Sequence, residues 1–441
     1  MSDTIFALGS GPAPAGVAVI RLSGPDAGAA LSALSAGRAA PDPRVAVLRN
    51  LTDPTTGGLL DQGIVLWFSA PHSFTGEDVA ELHIHGGAAS IDAVLSTLST
   101  IPGCRRAEAG EFTRRAFAEG RMNLTEVEGL SDLIAAETDA QRRLALRQAS
   151  GEGAGLYQNW TDRLIRILAT LEAAVDFPED DLPEQILDRN EIDIRSLVEE
   201  WTQHIELGRA SAGIRDGVRV AILGAPNVGK SSLLNRLAGR DAAIVSETAG
   251  TTRDVIEVRL DLGGYAVTLS DTAGLRETDD RIEEEGVRRA LDAARAADLI
   301  LYLSDDPSVL QLPLPDSLAD REEDVFRILT KRDEEDGGHP PPTVFGISSK
   351  TGAGLTVLLS ALESACQNRY GAAVAAVAVR ARHREALAEA CDALEHALVE
   401  REFALAAEDV RIALTQMGRI TGRVDVESIL DVVFSEFCIG K

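Results

Sequence analysis

The sequence contains no run of about 18 apolar residues, the length that a helix needs to cross a membrane. Its opening segment, MSDTIFALGS, also lacks the basic region followed by an apolar stretch that is typical of a signal peptide. We therefore expect a cytoplasmic protein that does not associate with membranes.

Cysteine and aromatic residues are both scarce. The four cysteines are Cys104, Cys366, Cys391 and Cys438. Their scatter shows no metal-ligand spacing, and it fits a reducing compartment. Aromatic residues make up 4% of the chain, so platforms that stack nucleic-acid bases must be few.

Positive charge is also in short supply, because 70 acidic residues face 43 lysines and arginines and leave a net charge of −27. This balance argues against indiscriminate binding to nucleic acid but leaves room for a local basic face. Arginine pairs at 105–106, 114–115 and 142–143 could contact phosphate, although such pairs on helices more often form a solvated face.

The chain of 441 residues has room for about two to four domains, and its apolar fraction of 45% is that of ordinary globular proteins. The pattern over residues 1–120 predicts mixed α/β structure. Strands are expected at 17–22, 64–68 and 79–85, and a short helix at 91–98.

Three polar side chains share one face of the strand at 79–85, namely Glu81, His83 and His85. Two histidines and a carboxylate are a known ligand set for metals. Alternate residues of a strand nevertheless spread over about 13 Å, at roughly 3.3 Å per residue, and diverge from a single ion. We favour a solvated or ligand-facing sheet surface, with a metal site as the alternative.

Two segments, 121–213 and 373–441, predict helices that hold other parts in place. Apolar residues recur there at helical spacing, at Leu164, Leu168, Leu171 and Val175 and again at Leu387, Cys391, Leu394 and Leu398. A stretch bounded by prolines at 178–183 should interrupt the first segment.

The strongest pattern is a strand, a glycine-rich loop and a helix at residues 218–234, VRVAILGAPNVGKSSLL. Residues 224–231 fit G-x-x-x-x-G-K-[ST] at every position, which in this context predicts a phosphate-binding loop. Its backbone N–H groups would surround a β-phosphate at a helix N-terminus. Lys230 would reach the β- and γ-phosphates, and the Ser231 hydroxyl would ligate Mg²⁺.

Four further elements follow in the order expected of a GTPase. Residues 249–254, AGTTRD, suit a switch loop that closes over Mg²⁺ and the γ-phosphate, and residues 271–274, DTAG, suit an aspartate near Mg²⁺ and a glycine N–H on the γ-phosphate. Residues 330–333, TKRD, carry threonine where the guanine-reading pattern N-K-x-D has asparagine. The carboxylate of Asp333 still accepts from guanine N1–H and the 2-amino group, and so rejects adenine. Residues 348–350, SSK, would lie behind the base.

Two groups that other GTPases use in hydrolysis are missing. Leu275 stands where Ras-like proteins place a glutamine, and leucine cannot orient water. No arginine in the sequence stands out as a finger in cis, so the transition-state charge needs another cation, for which Asn227 is a candidate ligand. An acidic run at 279–285 lies nearby, although such residues commonly solvate a helix N-terminus.

Longer motifs span the chain: GVAVIRLSG, SFTGEDVAELHIHGG, GEFTRRAF, GAPNVGKSS, AGTTRD and the C-terminal FCIGK. Together they closely resemble the MnmE (TrmE) family of tRNA-modifying GTPases. The resemblance implies a multidomain α/β fold, in which a P-loop GTPase domain is inserted into an all-α helical domain after an α+β N-terminal domain. The implied domains are 1–120 for tetrahydrofolate binding and dimerisation, 121–215 and 372–441 for the two helical parts, and 216–371 for the G domain.

The resemblance also implies an activity. A K⁺-dependent GTPase homodimer, with the FAD-containing partner MnmG (GidA) in a heterotetramer or larger complex, would add an aminomethyl- or carboxymethylaminomethyl-type group to C5 of the wobble uridine of certain tRNAs. The carbon would come from 5-formyl- or 5,10-methylene-tetrahydrofolate. GTP hydrolysis would be required, and it would be stimulated where two G domains meet in the presence of K⁺.

Site residues follow from the matching motifs. The implied folate contacts are Arg21, Glu81, Lys441 and Arg121, the last standing where the family commonly has lysine. The implied ligands are Asn227, Ser246, Thr248 and Thr251 for K⁺, and Ser231 and Thr252 for Mg²⁺. The implied catalytic residues are Lys230, Glu283 as the water-orienting acid, and Cys438 in the tail, for which an inert buried thiol is the alternative. The implied GTP contacts are Asn227, Val228, Gly229, Lys230, Ser231, Ser232, Ser246, Glu247, Thr248, Ala249, Gly250, Thr251, Thr252, Asp271, Thr272, Ala273, Gly274, Thr330, Lys331, Asp333, Ser348, Ser349 and Lys350.

Two other functions fit parts of the pattern. A regulatory GTPase switch would bind and release a protein or ribosomal partner, and it would need neither the folate motifs nor Cys438. An ATP-using P-loop enzyme is disfavoured by Asp333, and a preference for ATP over GTP would favour it again.

Overall fold

A computed structural model describes residues 3–176, 184–240, 243–244, 257–271, 282–333, 343–424, 430, 433–434, 437 and 440, without the side chains of 184–187, 271, 282–287 and 289. The chain divides into two compact units. One comprises Met1–Ser131, Ala149–Asn159 and Met417–Lys441, and the other Asp132–Gln148 and Trp160–Gln416. Because these units group segments by contact alone, the domain bounds inferred from the sequence stay a prediction. Among the described residues no helix is long and apolar enough to span a membrane.

The first unit is built around a six-stranded sheet with the order β3-β4-β5-β2-β1-β6. Its strands are β1 (Thr4–Leu8), β2 (Ala15–Ser23), β3 (Val47–Thr52), β4 (Leu59–Phe68), β5 (Val79–Gly86) and β6 (Cys104–Arg106). Neighbours are antiparallel except β1 and β6. Helices α1 (Ala27–Leu34), α2 (Ala88–Leu98) and α3 (Glu111–Ala118) lie in this unit, and α4 (Leu124–Ala135) begins in it. The strands predicted at 17–22, 64–68 and 79–85 and the helix at 91–98 are confirmed.

Strand β5 shows how the sheet divides its two faces. Ala80, Leu82 and Ile84 are buried, whereas Glu81 and His83 are half-buried on the other side, because successive side chains of a strand point to opposite faces. Helices α1 and α2 cover the apolar face. The cluster that they form with the sheet includes Ile20, Leu22, Leu31, Leu34, Leu82, Val94 and Leu98.

A buried arginine in α3, Arg115, joins three acidic side chains of the first unit. Its side chain is 1% exposed. The guanidinium donates to Glu77 at 3.0 Å, to the Asp3 carboxylate at 3.0 Å and to Glu111 at 3.4 Å. Ser23 Oγ donates a further hydrogen bond to Glu77 at 2.7 Å. A buried charge needs partners, so this arginine is structural and does not belong to the solvated face expected of the arginine pairs.

Replacing Arg115 with methionine keeps an apolar stem but removes the cation from its acidic partners. We expect the free energy of unfolding to fall by about 3–5 kcal/mol, the usual loss when one partner of a buried ion pair is removed. Arg142→Met is the matched control, because Arg142 pairs with Asp139 at 2.6 Å on the surface, where such pairs contribute about 0–1 kcal/mol. Urea unfolding followed by circular dichroism measures both losses, and equal losses would contradict the role assigned to Arg115.

The second unit contains a mainly parallel six-stranded sheet with the order β12-β11-β10-β7-β9-β8, in which only β8 runs antiparallel to its neighbour. The remaining helices are α5 (Asp139–Ala149), α6 (Glu152–Asp176), α7 (Glu184–Asp216), α8 (Lys230–Ala238), α9 (Ile282–Ala296), α10 (Leu355–Tyr370), α11 (Ala381–Val399) and α12 (Phe403–Thr421). The strands are β7 (Val218–Gly224), β8 (Glu257–Leu262), β9 (Tyr265–Asp271), β10 (Leu299–Ser304), β11 (Val325–Leu329) and β12 (Val344–Gly346). Short 3₁₀ helices lie at Val309–Gln311, Asp316–Asp324 and Gly371–Ala375. Because parallel strands end at one edge, the loops that follow them meet there.

The buried face of α6 is shifted from the predicted stripe. Leu164 and Leu171 are buried as expected, whereas Val175 is 42% exposed and Ala174 lies on the buried face in its place. Spacing defines an apolar face only to within about one residue, because the neighbouring elements decide which side of the stripe is covered.

Candidate functional site

The loop between β7 and α8 has the shape of a phosphate cradle. Gly224 has a φ of +152°, and a Cβ there would lie 2.5 Å from the carbonyl oxygen of Leu303, so the position requires glycine. Gly229, with φ +109°, and Asn227, with φ +60°, also adopt left-handed backbone. These turns wrap the chain around the N-terminus of α8, where backbone N–H groups and the helix dipole favour an anion.

Lys230 curls back over this loop. Its side chain is largely buried, and Nζ donates to the carbonyl oxygens of Gly224 at 2.7 Å and Ala225 at 2.9 Å. Ser231 and Ser232 are exposed in the first turn of α8. An ammonium group and two hydroxyl groups therefore belong to the same helix N-terminus.

The guanine-reading residues predicted from the sequence follow β11, at the same edge of the sheet. Thr330 is 4% exposed, and its Oγ1 donates to the carbonyl oxygen of Val228 in the phosphate loop at 2.7 Å. After β12, Ser348 Oγ donates to Asp333 Oδ1 at 2.6 Å, which orients that carboxylate. The phosphate loop and the base-reading loop are thus joined directly.

Lys331 forms an ion pair beside this joint. The residue has a φ of +58°, and its Nζ donates to Asp305 Oδ2 at 2.6 Å. This hydrogen bond lowers the pKa of the Asp305 carboxyl group below its usual value. Ser349 is half-buried and Lys350 is exposed in the segment after β12.

The hairpin of β8 and β9 connects the AGTTRD segment to the DTAG segment, and it rests on the start of α5. The Ala140 N–H donates to the Gly264 carbonyl oxygen in the hairpin turn at 2.9 Å. Arg259 of β8 pairs with Glu137 at 3.0 Å. The strands between the two predicted nucleotide-contacting motifs are therefore packed on a helix that precedes them by more than a hundred residues.

In the first unit, Arg21 of β2 and Glu81 of β5 stand opposite each other in register and form an ion pair at 2.9 Å. The Arg21 guanidinium also lies over two aromatic rings, 5.6 Å from the centroid of Phe74 and 5.8 Å from that of Phe112. Both contacts are within the range of cation–π attraction. The structure therefore frames one charged pair with two aromatic side chains.

Of the other folate candidates, Arg121 lies in the described part of the chain, and Lys441 lies outside it. Arg121 is exposed, and its stem passes close to Gly76, where an added Cβ would lie 3.4 Å from Arg121 Cγ. Near the end of the chain, Gly440 has a φ of +108° and leaves no room for a Cβ against the carbonyl oxygen of Leu8. Since β1 pairs with the strand that carries Arg21, the tail reaches the neighbourhood of that side chain.

The two histidines of β5 turn to different carboxylates. His83 Nε2 lies 3.4 Å from Glu81, and His85 Nδ1 lies 2.8 Å from Asp61. This pairing favours a polar, ligand-facing surface over a shared metal ion.

Two protein-family models match the chain. The family model described as "GTP-binding protein TrmE N-terminus" matches residues 4–121, and that described as "MnmE helical domain" matches residues 124–438. The chain is 53% identical to the tRNA modification GTPase MnmE of Parvibaculum lavamentivorans and 50% identical to that of Paramagnetospirillum magneticum, with 100% of both chains covered in each case. The chain belongs to the MnmE family. Among solved structures it is similar to the G domain of the T. maritima FeoB iron transporter, at 27% identity over 34% of this chain and 98% of that one; the TM-score of 0.24 carries no argument about the fold.

Several residues implied by the MnmE motifs lie outside the described part of the chain. They are Ser246, Glu247, Thr248, Ala249, Gly250, Thr251, Thr252, Thr272, Ala273, Gly274, Cys438 and Lys441. For Asp271, at the end of β9, and Glu283, in α9, the structure describes the backbone alone. Their roles stay predictions.

Sequence reasoning missed three residues that the structure brings to these sites. Phe74 and Phe112 flank Arg21, and both lie inside the motifs SFTGED and GEFTRR that carry the MnmE resemblance, which was the available signal. Asp305 pairs with Lys331. Its position directly after a buried strand of a parallel sheet was a signal too, since such strand ends line ligand sites.

Removing the Thr330 hydroxyl tests the joint between the two loops. In Thr330→Val the buried carbonyl of Val228 loses its donor, and we expect affinity for GDP to fall about tenfold, as for the loss of one buried hydrogen bond. Thr330→Ser keeps the hydroxyl and should bind nearly as the unchanged chain does. Titration calorimetry with GDP measures both, and a valine variant that binds as tightly as the serine variant would contradict the role of this bond.

Proposed function

We propose that this chain binds and hydrolyses GTP, and that the hydrolysis serves modification of the tRNA wobble uridine. The observation that carries the first part is the hydrogen bond from Thr330 to Val228, which holds the phosphate loop and the base-reading loop at one edge of the sheet. One nucleotide can therefore contact both loops. The second part is supported by the MnmE relatives, which are named tRNA modification GTPases.

The arrangement of Asp333 supports guanine as the base. Ser348 holds one oxygen of this carboxylate, so the group is oriented before the nucleotide binds. Guanine offers N1–H and the 2-amino group to a carboxylate. Adenine has neither donor, and covering a carboxylate with a base that donates no hydrogen bond to it is costly. This disfavours the alternative of an ATP-using enzyme.

Two of the proposed metal ligands, Ser231 and Asn227, lie in the described part of the chain. Ser231, an exposed residue in the first turn of α8, would hold Mg²⁺ through its hydroxyl together with Thr252. Asn227 is exposed in the phosphate loop with a left-handed backbone, and its side-chain carbonyl is the kind of oxygen that K⁺ accepts. Ser246, Thr248 and Thr251 complete the proposed K⁺ ligands. The monovalent cation would supply positive charge at the phosphates in place of an arginine finger.

Two residues would act on the reacting groups. Lys230, whose ammonium lies over the loop, would stabilise charge that develops on the phosphate oxygens. Glu283 would orient the attacking water, a task that Leu275 cannot perform. The remaining proposed contacts hold the nucleotide in place.

The proposed tetrahydrofolate would bind to the first unit. Arg21 and Glu81 form a charged pair, and the Arg21 guanidinium lies over the rings of Phe74 and Phe112. Such a group of side chains can bind both a polar heterocycle and a carboxylate. Arg121 and Lys441 would add positive charge for the anionic end of the folate. When bound, 5-formyl- or 5,10-methylene-tetrahydrofolate would supply the one-carbon unit for the uridine.

We further propose the partners and the setting. The chain would act as a homodimer with the FAD-containing MnmG protein, in a heterotetramer or larger complex, on tRNA in the cytoplasm. Cys438 would take part in the modification. A regulatory GTPase without modification chemistry is the competing function, and folate binding separates the two.

Hydrolysis of GTP in KCl and in NaCl at equal ionic strength tests the cation. We expect KCl to raise the rate by about tenfold or more, since one preorganised charge at a transition state contributes about 10²–10³ in rate. Asn227→Ala should bind GDP but lose most of the difference between the two salts. Equal rates in the two salts would exclude the cation mechanism and leave a generic GTPase.

Binding of 5-formyltetrahydrofolate to the full chain, measured by calorimetry, tests the first unit. We expect Arg21→Met and Glu81→Gln each to weaken binding by about tenfold or more, as for the loss of a charge-assisted hydrogen bond. Asp61→Asn is the matched control. Asp61 lies in β4 and pairs with His85, which lies further along β5 than Glu81. An unchanged chain that does not bind folate would favour the regulatory function.

A further inference from the structure

An ion pair at the proposed nucleotide-binding edge of the sheet joins the guanine-reading motif to Asp305, a residue outside that motif. Asp305 directly follows β10, and Lys331 comes just after β11, a parallel neighbour in which Leu329 stands opposite Ser304. Lys331 Nζ donates to Asp305 Oδ2 at 2.6 Å. Adjacent strand ends thus place a carboxylate next to the lysine of the guanine-reading motif.

The backbone around Lys331 is fixed, which leaves its side chain as the variable part. The Thr330 N–H donates to the Ser304 carbonyl at 2.9 Å, and the Arg332 N–H donates to the Ile347 carbonyl at 3.1 Å. Both flanking peptide groups are therefore tied to neighbouring segments. A lysine side chain has many rotamers, and most of that freedom is lost if the stem is to lie along a base.

The backbone that carries Asp305 is held as well. The Asp306 N–H donates to Ser304 Oγ at 3.0 Å, and the Ser308 N–H donates to Asp306 Oδ1 at 2.8 Å. These two bonds define the turn that carries Asp305. Asp305 therefore presents its carboxylate to the lysine from a backbone that is itself hydrogen-bonded.

We propose that Asp305 is a positioning residue for the guanine nucleotide. It anchors the ammonium of Lys331, so that the methylene stem is already arranged to lie along one face of the base. The inference rests on the proposed GTP binding and deepens it, because it names a residue outside the guanine-reading motif that sets the affinity for the base.

The exposure of the Asp305–Lys331 pair indicates whether it affects the stability of the fold or the affinity for nucleotide. The side chains of Lys331 and Asp305 are 53% and 49% exposed, and exposed pairs contribute little to the stability of a fold. The contribution to binding is different in kind, since arranging a side chain in advance reduces the freedom that is lost when a ligand binds. The pair should therefore change nucleotide affinity without changing thermal stability.

The experiment compares Asp305→Asn with Asp306→Asn in the full chain. Both variants remove one negative charge from the same turn, and asparagine at 306 can still accept from Ser308. We expect affinity for GDP, measured by calorimetry, to fall about three- to fivefold in Asp305→Asn. Asp306→Asn should stay within about twofold of the unchanged chain, since a long-range charge effect is screened by salt.

Two further readouts separate positioning from damage to the loop. Inosine diphosphate lacks the 2-amino group that Asp333 reads, so Asp305→Asn should weaken GDP and inosine diphosphate by the same factor. Lys331→Met removes the ammonium, and in that background Asp305→Asn should have no further effect, as a double-mutant cycle requires for a residue that acts through its partner.

Equal GDP affinity in Asp305→Asn and the unchanged chain overturns the positioning role, as does a loss that persists in the Lys331→Met background. An unchanged chain that binds neither GDP nor GTP overturns the proposed nucleotide binding itself.

Discussion

The buried hydrogen bond from the Thr330 hydroxyl to the Val228 carbonyl joins two loops that are 102 residues apart in the chain. It can form because β7, β10 and β11 are parallel neighbours whose carboxyl ends share one edge. Once the bond is made, the distance between the phosphate cradle and the base-reading loop is set before any ligand arrives. Preorganisation of this kind lowers the cost of binding, since the protein has less freedom to lose. Ser348 orients Asp333 at the same edge by the same logic.

The first unit uses a buried charge to the same end. Arg115 draws Glu77, Asp3 and Glu111 towards one guanidinium. Phe74 lies shortly before Glu77 in the chain, and Phe112 lies in α3 together with Arg115. These are the two phenylalanines whose rings contact the Arg21 guanidinium. Burying ions costs free energy, and well-packed apolar residues in place of the buried ions would often give a fold of equal stability. The network has the further consequence that it aligns the two segments that frame the Arg21–Glu81 pair.

Most of the arginines weighed as phosphate contacts form ion pairs within the chain. Of the arginine pairs weighed as phosphate contacts, Arg115 is buried, Arg105 binds Asp3 and Glu111, and Arg142 and Arg143 both pair with Asp139. With a net charge of −27, contact with an RNA backbone has to come from a local face, because counterion release requires unpaired cations close to phosphate.

The sequence by itself determined the local elements and predicted the chemistry of the site. A strict pattern of glycines before Lys230 predicts a phosphate loop because few residues tolerate the backbone at Gly224, and alternation along β5 predicts which side chains are buried because a strand has a period of two. The longer motifs were identified by their resemblance to the MnmE family. Tertiary structure alone decided which distant groups meet: that Thr330 bonds to Val228, that two phenylalanines flank Arg21, and that Asp305 reaches Lys331. It also decided which side of the apolar stripe of α6 is covered by neighbouring elements, so that Ala174 is buried and Val175 is exposed. These contacts depend on strand order and on neighbouring surfaces, which no local spacing encodes.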